Sequence, residues 1–259
     1  MTASLALLAA VAQAAAESPR VVARFAAPEA RQGVAVGPTR FYAIDNSSIA
    51  AYDKRTGKRL NTWKGDPALF PHLNSCSVVG PDLVCASSNY PAVPHASSVE
   101  LFDAATLRHK RSYSLGPGVG SLTWIARRDG AWWAAFANYD GRGGEPGRDH
   151  RWTTLVRMDD AFRRTAAWLF PPTVLAAFAP YSNAGGDWGP DGLLYVTGHD
   201  RREVYRLRLP AAGATLVHLG TVPISTAGQA IAFDPARKGL LWSIDRSRRE
   251  VVATRLLGG

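Results

Sequence analysis

One phrase recurs five times along the chain: an apolar strand, a Gly/Pro/Asp turn, a second apolar strand, a polar loop, then an alternating strand ending in a charged hairpin. The first copy occupies residues 32–65 (QGVAVGPTRFYAIDNSSIAAYDKRTGKRLNTWKG) and the last residues 228–257 (GQAIAFDPARKGLLWSIDRSRREVVATRLL). The others begin near His72, Gly120 and Ser182. Repeats of roughly 40 to 60 residues, each built from short strands with no sustained helical period, bury their apolar faces by stacking around an axis. The expected fold is therefore all-β: a five-bladed β-propeller of four-stranded blades.

The last copy supplies only three strands, near residues 229–234, 239–244 and 250–256, while an alternating segment, RVVARF at residues 20–25, precedes the first copy. Pairing that segment with the last blade completes it, covers an open strand edge and ties the two ends of the ring together. An N-terminal strand is thus expected to close the propeller.

No linker-like composition interrupts the repeats, so residues 17–259 read as a single domain. Residues 1–16, MTASLALLAAVAQAAA, form an apolar run followed by small residues, the pattern of a secretory signal peptide. No other stretch is long and apolar enough to span a bilayer, and the expectation is a periplasmic or secreted monomer. In that setting Cys76 and Cys85 become a pair, because they flank SVVGPDLV, a hairpin turning at residues 80–82. They form either a cross-strand disulfide, which the compartment permits, or two buried thiols; the bridge is the favoured reading.

The formal net charge is +9. Basic residues scattered over hairpins, such as Arg127-Arg128, Arg163-Arg164 and Arg201-Arg202, describe a solvated surface rather than a nucleic-acid footprint. The densest patch, Arg237, Lys238, Arg246, Arg248 and Arg249, lies in the last repeat and favours an anionic ligand.

In a propeller the starts of the inner strands and the loops joining second to third strands meet on one face of the ring. The first set reads Gln32; His72 and Asn74; Ser121; Ser182 and Asn183; Gln229. The second reads Asp45 and Asn46; Ser88, Asn89, Tyr90 and His95; Asn138, Tyr139 and Asp140; His199 and Asp200; Asp245 and Arg246. All are polar, and His72, His95, His150 and His199 fall on this face while His109 and His218 fall on outer strands. No HxH or HxxxH spacing occurs, so no metal is assigned; nor is there a GxSxG elbow, a phosphate loop, HExxH or CxxC. The tryptophans at strand positions read as core.

The third repeat carries a charged, glycine-rich insertion at residues 138–151 (NYDGRGGEPGRDHR), which either lies over the channel mouth as a lid or forms a solvated surface loop; Asp140, Glu145 and Asp149 match no standard calcium spacing. The connection PPTVLAAFAPYSN, at residues 171–183, has Pro at a helix start and is expected to add one or two helical turns to the same face.

The phrases HLNS, GSLTW, WWAAFANYDGRGG, YSNAGGDWGPDGLLYVTGHD and GQAIAFDP resemble a family of exported bacterial propeller proteins sometimes labelled cycloisomerase. Gln32-Gly33, Tyr52-Asp53 and Thr56-Gly57 are similar to the first repeat of five-bladed glutamine cyclotransferases. That second resemblance implies a carboxylic acid at the start of the second blade, where HLNSC instead offers His72 and Asn74.

These readings converge on a propeller that binds a small anionic ligand at the channel mouth, with cyclase- or lactonase-like turnover as one outcome and a non-catalytic ligand- or protein-binding propeller as the alternative. His72 and His199 are the candidate acid/base residues. The candidate ligand contacts are Gln32, Asn74, Asn89, Tyr90, Asn138, Tyr139, Arg142, Asn183, Gln229 and Arg246, and no cofactor is assigned.

Overall fold

The computed structural model describes residues 18–257, so the signal-like segment 1–16 lies outside the described residues. Strand β1 (Arg20–Ala26) runs antiparallel to the last strand, from Arg20 opposite Arg255 to Ala26 opposite Glu250. The first blade follows as β2 (Gly33–Val36), β3 (Arg40–Asp45), β4 (Ser48–Asp53) and β5 (Arg59–Lys64). The second is β6 (Leu73–Val79), β7 (Asp82–Ser88), β8 (Ala96–Asp103) and β9 (His109–Pro117). The third is β10 (Ser121–Arg128), β11 (Ala131–Ala137), β12 (Thr154–Met158) and β13 (Arg164–Leu169), and the fourth β14 (Gly185–Trp188), β15 (Leu194–Thr197), β16 (Glu203–Arg208) and β17 (Val217–Pro223). The fifth holds β18 (Ile231–Phe233), β19 (Leu240–Asp245) and β20 (Glu250–Arg255), with β1 as its outer strand. Five four-stranded antiparallel sheets around one axis make this a five-bladed β-propeller closed by its N-terminal strand.

Position in the blade dictates residue choice. Strands β2 and β11 are buried on both faces and read as unbroken runs, GVAV and AWWAAFA, whereas the outer strands β1 and β5 alternate between covered and exposed residues. The core is divided into packets lying between neighbouring blades. One of them closes the ring: Phe25 of β1 sits 5.2 Å from Phe41 in the first blade and stacks 5.8 Å from Trp242 in the fifth.

Near the axis the inner strands approach so closely that side chains are excluded. A Cβ on Gly33 would stand 2.5 Å from the Asn74 carbonyl oxygen, and one on Gly185 2.4 Å from that of Gln229. Glycine at these two positions lets successive blades meet at the channel. Cys76 and Cys85 face each other across β6 and β7 and are joined, with Cα atoms 4.0 Å apart. The 171–183 connection contains α1 (Pro172–Phe178), whose Val174, Leu175 and Phe178 are buried against the third and fourth blades.

Candidate functional site

A cavity of about 220 Å³ opens where the inner-strand starts and the second-to-third-strand loops converge. Gln32, His72, Asn74, Tyr90, Tyr139, Arg142, Asn183, His199, Gln229 and Arg246 all line it, joined by Thr123, Tyr181, Ser182 and Ala184. No aspartate or glutamate is among the lining residues, whereas Arg142 and Arg246 are. The wall is polar and its fixed charge is positive.

His72 sits at the entry to β6 with its ring orientation set by one amide. Asn46 Oδ1 lies 2.9 Å from His72 Nδ1 and also accepts from Gln32 Nε2 at 2.8 Å. A carbonyl-type oxygen only accepts, so Nδ1 carries the proton and Nε2 presents a lone pair to the cavity. Burial, and after it the charge of Arg246, pull the His72 pKa down from 6.5 to about 4. The imidazole is therefore a neutral acceptor at ordinary pH.

His199 is arranged differently. Its Nδ1 lies 2.5 Å from Asp200 Oδ1, its Nε2 accepts from Arg246 Nη1 at 3.0 Å, and its ring rests 4.3 Å from that of Tyr181. Arginine only donates, so the imidazole uses both nitrogens, giving its Nδ1 proton to Asp200 and its Nε2 lone pair to Arg246. Its effect on the cavity is to hold Arg246 in place. Arg246 is half-buried; desolvation and the neighbouring charges of Arg31 and Arg249 act against its own charge, partly offset by Asp45 and Asp200. Among the described residues no carboxylate lies within 4.0 Å of its guanidinium.

The 138–151 insertion reaches the cavity through Tyr139 and Arg142. Arg142 lines the cavity, Tyr90 donates to the Arg142 carbonyl at 3.3 Å, and a Cβ on Gly143 would meet the Tyr90 ring at 2.4 Å. Tyr139 beneath it has its hydroxyl pushed well above the usual range by burial.

Two expected contacts are employed elsewhere. Asn89 closes its own loop, donating to the Pro94 carbonyl and accepting from the Ala96 N–H, each at 2.9 Å. Asn138 is fully buried and donates to the carbonyls of Val119 and Trp152. Asn74 and Asn183 reach the cavity while also tying blades together: Asn74 donates to the Leu122 carbonyl at 2.9 Å, and Asn183 accepts from Trp124 Nε1 at 2.6 Å. His95 is buried behind Tyr139 rather than in the cavity, and His150 is held by Asp140 at 2.6 Å. Asp140, Asp149 and His150 bring ligand-type atoms within 4.8 Å of one another, but Asp149 is already clasped by Arg151.

Sequence reasoning missed the position of Tyr181. It comes three residues after the end of α1 and lines the cavity. The role of Asn46 was also unassigned, although it lies in the correct loop.

No family model matches the chain, and no curated protein sequence matches it. Solved structures do. The PQQ-bound form of aldose sugar dehydrogenase from Streptomyces coelicolor superposes with a TM-score of 0.58 at 12% identity, covering 92% of this chain and 97% of that one. A luciferin-regenerating enzyme superposes with a TM-score of 0.54 at 12% identity, covering 93% and 95%. At that identity the likeness is one of fold: both are propeller neighbours of this chain, and the site must be read from its own residues.

Proposed function

We propose that the protein binds a small organic anion, a carboxylate in the simplest case, in the cavity at the mouth of the propeller channel. The observation that carries this reading is Arg246: half-buried, oriented by a neutral imidazole, and without an ion pair among the described residues. A charge withdrawn from water is costly unless it is paired, and the cavity in front of this one contains no carboxylate. A ligand carboxylate completes the pair through charge-assisted hydrogen bonds, with Arg142 on the insertion as a second cation. Gln32, Tyr90 and Gln229 supply polar contacts that select shape.

A second reading, turnover, has its own support in His72. A neutral imidazole with a free Nε2 beside an anion site suits acceptance of a proton from a bound hydroxyl or an activated C–H, as a cyclase- or lactonase-like reaction requires. Anion binding would offset the charge of Arg246 and so raise the basicity of His72 when substrate is present. The signal-like segment and the Cys76–Cys85 bond support action in the periplasm or outside the cell.

The test is a thermal-shift and calorimetric screen of the mature protein against monocarboxylates, dicarboxylates, lactones and divalent metals. A ligand at 100 times its dissociation constant adds roughly 2.7 kcal/mol of stability. Carboxylates should stabilise the wild type and not Arg246→Gln. Stabilisation only by neutral compounds, or equal stabilisation of both proteins, would remove the anion site.

A further inference from the structure

A second groove, of about 390 Å³, shares Arg246 and His199 with the cavity, so that pair lines both spaces. The groove is lined by Arg31, Arg202 and Arg249 besides Arg246, against two carboxylates, Asp200 and Asp245. Both carboxylates are engaged: Asp200 by His199 at 2.5 Å, and Asp245 by Ser247 at 2.7 Å with Arg24 and Arg248 nearby. Neither Arg24 nor Arg248 lines the groove. Arg31 reaches only Asp45, at 3.7 Å, Arg249 donates to the Pro28 carbonyl, and Arg202 is exposed with no ion pair among the described residues. Like charges gathered around a half-buried arginine repel one another until an anion sits between them.

We propose that the ligand carries two anionic groups on a short spacer, one held in the cavity by Arg246 and Arg142 and the other in the groove by Arg31, Arg202 and Arg249. This rests on the anion-binding reading of the cavity and extends it to a substrate class. Arg246 serves both ends because its guanidinium offers several N–H donors and only one is used by His199. Arg31, Arg202 and Arg249 do not line the cavity, so they decide which anion is preferred rather than whether one binds.

The test is calorimetry at low salt on the full mature chain, with butyrate, succinate, glutarate, adipate and phosphoglycolate as probes. The best dianion should bind roughly tenfold or more tightly than butyrate, the gain expected from one charge-assisted contact. Arg202→Gln and Arg31→Gln should each erase most of that difference and leave butyrate binding unchanged, with unaltered circular dichroism showing that the fold persists. Arg246→Gln should weaken both classes. Tighter binding of phosphoglycolate than of the dicarboxylates would identify the outer group as a phosphate, and the reverse would identify a carboxylate. Equal affinity for mono- and dianions, or a difference that survives both groove substitutions, overturns the two-anion inference and leaves the cavity site standing. Failure of every anion to bind removes both.

Discussion

Arg246 Nη1 donates to His199 Nε2 at 3.0 Å, and this bond assigns different work to two residues that the sequence presents alike. The imidazole uses its second nitrogen on Asp200, 2.5 Å away, and so stands as a bracket between a carboxylate and a guanidinium. In binding terms His199 is a positioning residue.

His199→Ala should weaken anion binding about tenfold by letting the Arg246 side chain wander, whereas Arg246→Gln should remove most of it. His199→Gln keeps an acceptor for the guanidinium and should recover part of the loss, a rescue that a proton-transferring histidine would not show. His109→Ala and His218→Ala are the controls: both lie on outer strands, where His109 pairs with Glu100 at 2.8 Å and His218 bonds Thr173 and Thr221. Equal losses from the controls would place the site elsewhere.

Ring closure rests on Phe25. Its ring fills the gap between Phe41 and Trp242, at 5.2 and 5.8 Å, and lies against Gly57. Phe25→Ala should cost about 2 kcal/mol, below the usual range for a fully buried phenylalanine because this one is only partly buried, lowering Tm by roughly 4–8 °C. Deleting residues 17–27 removes the strand altogether, exposes the β20 edge, and should lower Tm considerably further. An unchanged melt in the deletion would mean that β1 contributes nothing to closure.

How far the sequence could be read depended on the range of the interactions involved. The blades were legible because each repeat carries its own alternation and turns, and the closing strand because one copy lacked a strand while an unclaimed one preceded the ring. The convergence of Gln32, His72 and Gln229 was legible because it follows from blade geometry alone. What was not legible was the use to which each amide is put. Asn74 and Asn138 were both expected on the ligand face, yet Asn138 spends its donors on Val119 and Trp152, partners found only once the chain is folded. The same holds for His72 and His199, whose difference lies in Asn46 and Arg246, 26 and 47 residues away in sequence.

The Cys76–Cys85 bond closes a loop with a sequence separation of 9. For a loop that short, the chain-entropy estimate is about 2–3 kcal/mol of stabilisation. Cys76→Ser with Cys85→Ser should lower Tm accordingly, and protein isolated without reductant should be two hydrogens lighter than its reduced form. Two alkylatable thiols in unreduced, denatured protein would exclude the bridge.

His72 gives the sharpest pH signature. Its folded pKa is about 4 against an ordinary 6.5, so between those values the unfolded chain binds more protons than the folded one. The stability it contributes is fully present above pH 6.5 and is lost as pH falls through 4, on the order of 3 kcal/mol in all. His95, lowered by burial, acts in the same direction, whereas Asp187, raised by burial from 3.8 to about 6, acts oppositely and loses its contribution as pH rises through 6. The wild-type curve therefore sums opposing slopes, and the informative quantity is the difference between wild type and His72→Gln, which should narrow steadily from pH 7 to pH 4. A bound anion reduces the influence of Arg246, so NMR titration of His72 should show a higher pKa in saturating succinate than without it. An imidazole titrating near 6.5 in both conditions would mean that His72 is neither buried beside Arg246 nor poised to accept a proton from what Arg246 binds.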